Sequence, residues 1–250
     1  MGICKLCGEE RDLVSSHIIP LAFHRHMQMD SDRPPVIIAT AADSFPQRSP
    51  GGIYDEELLC DLCEVRFGPW DQYGAECLLQ RFDQDAQKGI SNGEVIVYRV
   101  DNWDEARLRM FALSLLWRAA VTTRPFFKRV TLGPHEARLH DRILAGDPGP
   151  PNDFSVFLSR WQVRPEHVGM ELTQLSPYVW RLNGINMAKI FLGGFVFYIK
   201  CDKRPFNEPF PDIVLAPGRS IFAVPRQLEG SQDINALKPA ILRYAEYLRR

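Results

Sequence analysis

The chain has almost no net charge, no long apolar run and no internal repeat. Its 30 Lys and Arg face 31 Asp and Glu, a formal charge of −1, so no overall field draws it to a polyanion or an anionic membrane. The longest apolar stretch, from Ile190 to Ile199, is broken by Gly193 and Gly194 and falls well short of the ~20 residues that cross a bilayer. The opening "MGICKLCGEERD" lacks the apolar centre of a signal peptide, and Leu6 stands where an N-myristoylated chain needs Ser or Thr. A cytoplasmic protein without a membrane partner is the expectation. Low-complexity tracts are missing too. With 45% hydrophobic and 24% charged residues, the chain of 250 residues reads as globular, long enough for one large domain or a small one joined to a larger one.

Cysteine is scarce, and its placement carries the first positive signal. Four of the 6 cysteines form two C-x2-C pairs, Cys4/Cys7 and Cys60/Cys63. In a reducing compartment such pairs favour a metal over disulfides. Two knuckles, each offering two thiolates, suit tetrahedral zinc. The interval between them is longer than in a short zinc ribbon, so further structure is inserted between the knuckles. Structural Zn2+ is worth about 10–16 kcal/mol in small finger peptides, comparable to the whole stability of a typical domain at about 5–15 kcal/mol. Cys77 and Cys201 have no partner at ligand spacing and are expected as small core residues.

Periodicity and turn residues predict the remaining elements. "CKLCGEERDLVSSHIIP" reads as a knuckle turn and a short hairpin, and "LAFHRHMQM" as a helical turn or two ended by "DSDRPP". "DSFPQRSPGG" (43–52) is a loop. "DEELLCDLCE" is a strand entering the second knuckle, with a helix starting near Cys63 and continuing through Tyr73, Cys77, Leu78 and Phe82. "VIVYRV" (95–100) is a strand, "WDEARLRMFALSLLWRAAVTT" a buried central helix and "GPHEARLHDRILAG" a shorter one. From Phe154 to Val224, aromatic and β-branched residues punctuated by turns predict antiparallel sheet, and "LKPAILRYAEYLRR" predicts a closing helix.

Between the knuckles lies "SSHIIP", Ser15 to Pro20. Cys-x2-Cys, then "SHIIP", then "LLC-x2-CE" together resemble the HNH (His-Me finger) endonuclease superfamily in its zinc-stapled form. The whole chain also resembles a group of bacterial HNH-like proteins bearing "SHIIP", "LLC-x2-CE-x2-F", "LSLLWR" and "LG-x-HE". The nuclease resemblance spans roughly residues 1–80. The element pattern predicts an α+β protein with a larger domain of helices and antiparallel sheet over 91–250, and the resemblance implies a zinc-bound treble-clef ββα-metal module over residues 1–90. It implies that His17 is the general base acting on water and that Ser16 occupies the position of a usual metal ligand. Glu64 matches the family's second ligand for a catalytic Mg2+ or Mn2+, and Asp55 falls where a middle Asn supports the histidine loop. The expected partner is nucleic acid, DNA in particular.

The set departs from the family pattern. Ser16 is a neutral hydroxyl and a weak ligand for Mg2+, whereas Glu64 and Asp55 are suitable hard-ion groups. The departure leaves a second reading open, a non-catalytic zinc module that binds nucleic acid or protein. Elsewhere, His24 and His26 are expected at the surface, Glu56 and Glu57 as solvated strand-end charges, and Asp61 as a knuckle-loop residue. Arg118, inside an apolar helix, is expected in a structural ion pair. The run of bases from Arg107 to Arg142, opposed only by Glu136 and Asp141, is a candidate basic patch. "LGGF" (192–195) is too short for a nucleotide loop and reads as a bulge or bend. His135-Glu136 lacks the second histidine of a zinc protease motif and is expected to cap its helix.

Overall fold

The structure is a computed structural model, and it describes residues 1–28, 36–38, 47–48, 51–162, 174–206, 210–227 and 231–233. The expected closing helix lies outside the described residues. Strands β1 (Gly2–Ile3) and β2 (Glu10–Arg11) pair around the first knuckle. Strand β3 (Leu13–His17) carries the histidine and is followed, after Pro20, by α1 (Leu21–Gln28). Two short strands, β4 (Val36–Ile38) and β5 (Gln47–Arg48), fall between α1 and β6 (Tyr54–Cys60). β5 therefore interrupts a stretch expected as loop. β6 pairs antiparallel with β3 and ends on the second knuckle.

A short helix α2 (Asp61–Glu64) completes that knuckle, and α3 (Gly68–Ala75) follows, entered by Pro69 at its first turn. The helical path then widens to a π-helical segment over Glu76–Arg81 before α4 (Phe82–Asp85). Strands β7 (Gln87–Ser91) and β8 (Glu94–Val100) form a hairpin, and α5 (Glu105–Val121) and α6 (His135–Ala145) follow it. The Asp104 side chain caps α5 by accepting from the Arg107 amide at 3.0 Å. Gly146, at φ 66°, closes α6 in the left-handed conformation. At the start of α6 neither His135 nor Glu136 caps: the N-cap is Pro134, without a side-chain hydrogen bond, and His135 Nε2 lies 3.2 Å from Asn186 Nδ2.

The remaining strands are β9 (Val156–Gln162), β10 (Gln174–Leu175), β11 (Tyr178–Leu182), β12 (Ile185–Leu192), β13 (Phe195–Lys200) and, after helix α7 (Phe210–Ile213), β14 (Ile221–Gln227). Among the described residues the large sheet runs β11-β12-β13-β9-β14-β8-β7. Its pairings are antiparallel except β9 with β14, which is parallel. The expectation of a purely antiparallel sheet is corrected there. β13 pairs with one side of β9, and the chain reaches its other side as β14 only after β10 to β13 and α7, a connection long enough for a parallel crossover. "LGGF" is a two-residue hairpin turn between β12 and β13, with Gly193 and Gly194 at φ 51° and 85°. That geometry matches the twist of the flanking strands and is nearly closed to side-chain-bearing residues other than Asn and Asp.

The central strands are buried on both faces. Along β13, Phe195, Phe197 and Ile199 enter the main core while Val196 and Tyr198 enter a second cluster on the opposite face, the alternation of a pleated strand. Helix α5 lies on the first face against β12 and β13, with α3 and α6 beside it. Every residue from Leu108 to Ala119 is buried, which accounts for a helix that is apolar nearly all round. The main core runs without a break from Cys4 to Ala223, and the division expected near residue 90 falls inside β7. Among the described residues no helix is long and apolar enough to cross a membrane.

Candidate metal centre and the histidine beside it

The sulfurs of Cys4, Cys7, Cys60 and Cys63 all lie within 4.8 Å of one another. A tetrahedral zinc with bonds of about 2.3 Å needs sulfurs roughly 3.8 Å apart, so the four thiols fit a metal ion such as zinc. Local structure explains the convergence. The first knuckle is a tight turn in which the Cys4 amide donates to Glu9 O and the Gly8 amide to Cys4 O, both at 2.9 Å. Cys60 ends β6, directly opposite Leu13 of β3, and Cys63 sits one helical turn on. The Lys5 amide donates to Leu58 O at 2.9 Å and the Cys60 amide to Cys4 Sγ at 3.4 Å, which stitches the two knuckles together.

Burial opposes ionisation of Cys4, but the amides of Cys7, Cys60 and Leu6 outweigh it and bring the thiol down to about 7. Burial pushes Cys60 and Cys63 upward, and at Cys63 the neighbouring thiols add to the rise. Four thiolates in this space repel one another, a situation that a bound dication relieves. Cys77 and Cys201 are fully buried in the core, as expected, and all six cysteines are free thiols.

His17 is the last residue of β3, opposite Tyr54. Its Nε2 lies 2.9 Å from the Gly51 carbonyl oxygen. A carbonyl only accepts, so Nε2 is the nitrogen that carries a hydrogen in this contact, and Nδ1 holds the lone pair whenever the ring is neutral. The His17 carbonyl accepts from Arg118 at 2.8 Å. Arg118 is completely buried on α5 and grips the Asp71 carboxylate through two hydrogen bonds of 2.9 and 2.6 Å. This is the expected structural pair, and it also ties the strand end bearing His17 to α3 and α5.

Glu64, next in sequence to Cys63, is half-buried, and its Oε2 is shut from solvent with no hydrogen-bond partner among the described residues. Burial raises its pKa. The Ser16 hydroxyl and the charges of Arg118 and His17 pull it back down, and Asp71 pushes it up. Ser16, His17, Glu64, Arg118 and Asp71 therefore form one interacting group beside the cysteines. Asp55 is not drawn into that group by its hydrogen bonds. It is buried, accepts from Thr122 Oγ1 at 2.5 Å and the Glu57 amide at 3.0 Å, and lies 3.9 Å from Arg124. These contacts overcome burial and hold its carboxyl below the usual range. Its role is to fasten β6 to the C-terminal end of α5.

His24 departs from expectation. Its side chain is fully buried, and neither ring nitrogen has a hydrogen-bond partner among the described residues. Burial, reinforced by the His17 charge, drives its pKa down to about 4. The physical reason is a close approach of backbone: a Cβ built on Gly52, which sits at φ 76°, would come within 2.3 Å of the ring. His26 is half-buried, Glu56 and Glu57 are exposed as expected, and Asp61, expected in the knuckle loop, is exposed as the first residue of α2.

The run of bases from Arg107 to Arg142 is largely engaged within the fold. Buried Arg109 donates to the carbonyls of Pro148 and Pro150, both at 3.0 Å. Arg138 and Arg142 converge on Asp153 at 3.0 Å each, and Arg107 lies over the Tyr73 ring at 4.3 Å. Comparison with family models, curated proteins and solved structures gave no match to this chain.

Proposed function

We propose that the chain is a metal-dependent endonuclease of the HNH type that hydrolyses phosphodiester bonds of nucleic acid, DNA being the expected substrate. The observation that carries this reading is the enclosed, unpartnered Glu64 oxygen beside Ser16 and His17, immediately after the fourth cysteine. A carboxylate oxygen buried without a partner is unfavourable in a purely structural setting, and such groups concentrate where a ligand completes them.

In this reading Cys4, Cys7, Cys60 and Cys63 hold structural zinc in a treble-clef module that fixes the end of β3 against α2. Glu64 is the residue that would hold Mg2+ or Mn2+, with the Ser16 hydroxyl as a neutral neighbour. Such an ion, when bound, supplies charge stabilisation for the scissile phosphate and its leaving oxygen. His17 performs the proton transfer. With Nε2 donating to Gly51 O, its Nδ1 accepts a proton from water as the water oxygen attacks phosphorus. Arg118, through the His17 carbonyl, is a positioning residue.

The test is incubation of the purified chain with plasmid and Mg2+ or Mn2+ beside the His17→Ala variant. Cleavage that falls by about 10²–10⁴-fold in the variant is expected. Cleavage unaffected by the substitution would remove the reading. One observation favours a non-catalytic zinc module instead: Ser16, at the usual ligand position, is a fully buried neutral hydroxyl that donates to the Val14 carbonyl at 3.4 Å. Binding of nucleic acid without any cleavage is the outcome that would select it.

A further inference from the structure

The sheet face turned away from α5 carries a cavity of about 480 Å3, within the size range of small-molecule sites at about 300–1,000 Å3. Phe157, Tyr178, Trp180 and Tyr198 wall it. The Phe157 and Tyr198 rings stack with centroids 4.7 Å apart and planes 1° from parallel. Trp180 stands edge-on to Tyr198 at 6.0 Å. Lys189, Arg226 and Arg129 also line the cavity, against the carboxylate of Asp233, so its lining is net positive among the described residues.

Lys189 is 5% exposed and bonds both oxygens of Asp233 at 3.1 Å, and its ammonium lies 5.3–5.8 Å from the Tyr178, Trp180, Phe191 and Tyr198 rings. The Arg226 guanidinium lies 5.3 Å from the Tyr198 ring, with no carboxylate at ion-pair distance among the described residues. Tyr198 is 4% exposed, and its buried hydroxyl has no hydrogen-bond partner there. Packing alone would be served equally by phenylalanine, since an unpaired buried hydroxyl is unfavourable.

These features select a ligand chemistry. A cationic ligand is disfavoured, because Lys189 already occupies the ring faces and the lining is positive. A small aliphatic anion would leave the aromatic walls unused, and a neutral aromatic would leave Arg226 unanswered. The geometry points to a nucleotide-binding site on this face, with a planar base against the half-buried Trp180, its phosphate on Arg226, and the Tyr198 hydroxyl bonded to a polar edge. Base–aromatic stacking and charge-assisted phosphate contacts are the two interactions such a lining supplies. The same chemistry serves a free mononucleotide or one unit of a strand. None of these residues belongs to the cysteine cluster or to the His17 group, so the site stands independently of the nuclease reading.

Calorimetric titration of the full zinc-loaded chain carrying His17→Ala, without Mg2+ or Mn2+, tests it. The probes are AMP, GMP, CMP and UMP, the matching nucleosides, inorganic phosphate and a short single-stranded oligonucleotide. At least one nucleotide is expected to bind, its nucleoside and phosphate each at least about tenfold more weakly. Arg226→Gln is expected to weaken binding at least about tenfold, and Tyr198→Phe, which keeps the ring and the packing, severalfold with an unchanged melting temperature. An oligonucleotide that binds far better than any mononucleotide assigns the site to a strand; comparable or weaker binding assigns it to the free nucleotide. No binding of any nucleotide or oligonucleotide, or binding indifferent to both Arg226→Gln and Tyr198→Phe, overturns the proposal. Binding in the His17→Ala background is read apart from cleavage, so either proposal can fail while the other stands.

Discussion

His24 shows how one enclosed side chain sets a pH limit on the fold. Its ring is fully buried and titrates near 4, against 6.5 for a free imidazole. Between those values the unfolded chain binds a proton that the folded chain refuses. The stability linked to His24 is therefore complete above about 6.5 and is lost as pH falls toward 4, a total of roughly 3 kcal/mol. Urea unfolding between pH 7.5 and 4.5, compared with His24→Leu, checks this. Wild type should lose about 2.5 kcal/mol more than the variant over the interval, and parallel curves would mean that His24 is not buried neutral. The sequence around it, "LAFHRHM", sets His24 at the head of three basic letters and reads there as a surface segment. What buries His24 is the approach of Gly52 from beyond a long intervening stretch, a contact that local pattern does not encode. The cysteines are the opposite case, because metal spacing is itself local and repeated.

Helix α5 joins the two halves of the candidate site. Its Arg118 reaches both the Asp71 carboxylate on α3 and the His17 carbonyl at the end of β3. Removing the acid while leaving the guanidinium buried is the costly way to break such a pair, at about 3–5 kcal/mol. Asp71→Ala is expected to lose stability on that order in chemical denaturation. Arg118→Met, which removes the charge along with its bonds, should cost less. Equal and small effects from both would contradict the assigned role. The helix was legible from its apolar density and its acidic start, and the hydrophobic position of Arg118 was enough to predict a partner, though not which one. The parallel β9–β14 pairing and the π-helical widening at Glu76–Arg81 were not legible. The first is set by the path of the chain between distant strands and the second by packing against neighbours, and neither leaves a periodic mark.

Across the molecule, the cysteine centre shares one core with the large sheet and α5. Cys4, Cys60 and Cys63 belong to the same core as Phe111 of α5 and Phe197 of β13. Strand β7, on the near side of the expected division, forms one edge of the large sheet. A metal at the knuckles therefore acts on a core that extends through both segments, and it fixes the strand end where His17 sits beside Glu64. The general α+β character followed from alternating helical and strand-like patterns. The shared core did not, since it depends on which faces meet. The most direct measurement is zinc-edge X-ray absorption on the purified full chain, with metal content determined on the same sample. One zinc per chain bound by four sulfurs at about 2.3 Å is predicted. A folded chain without zinc, or one whose zinc is ligated chiefly by nitrogen or oxygen, would contradict the account.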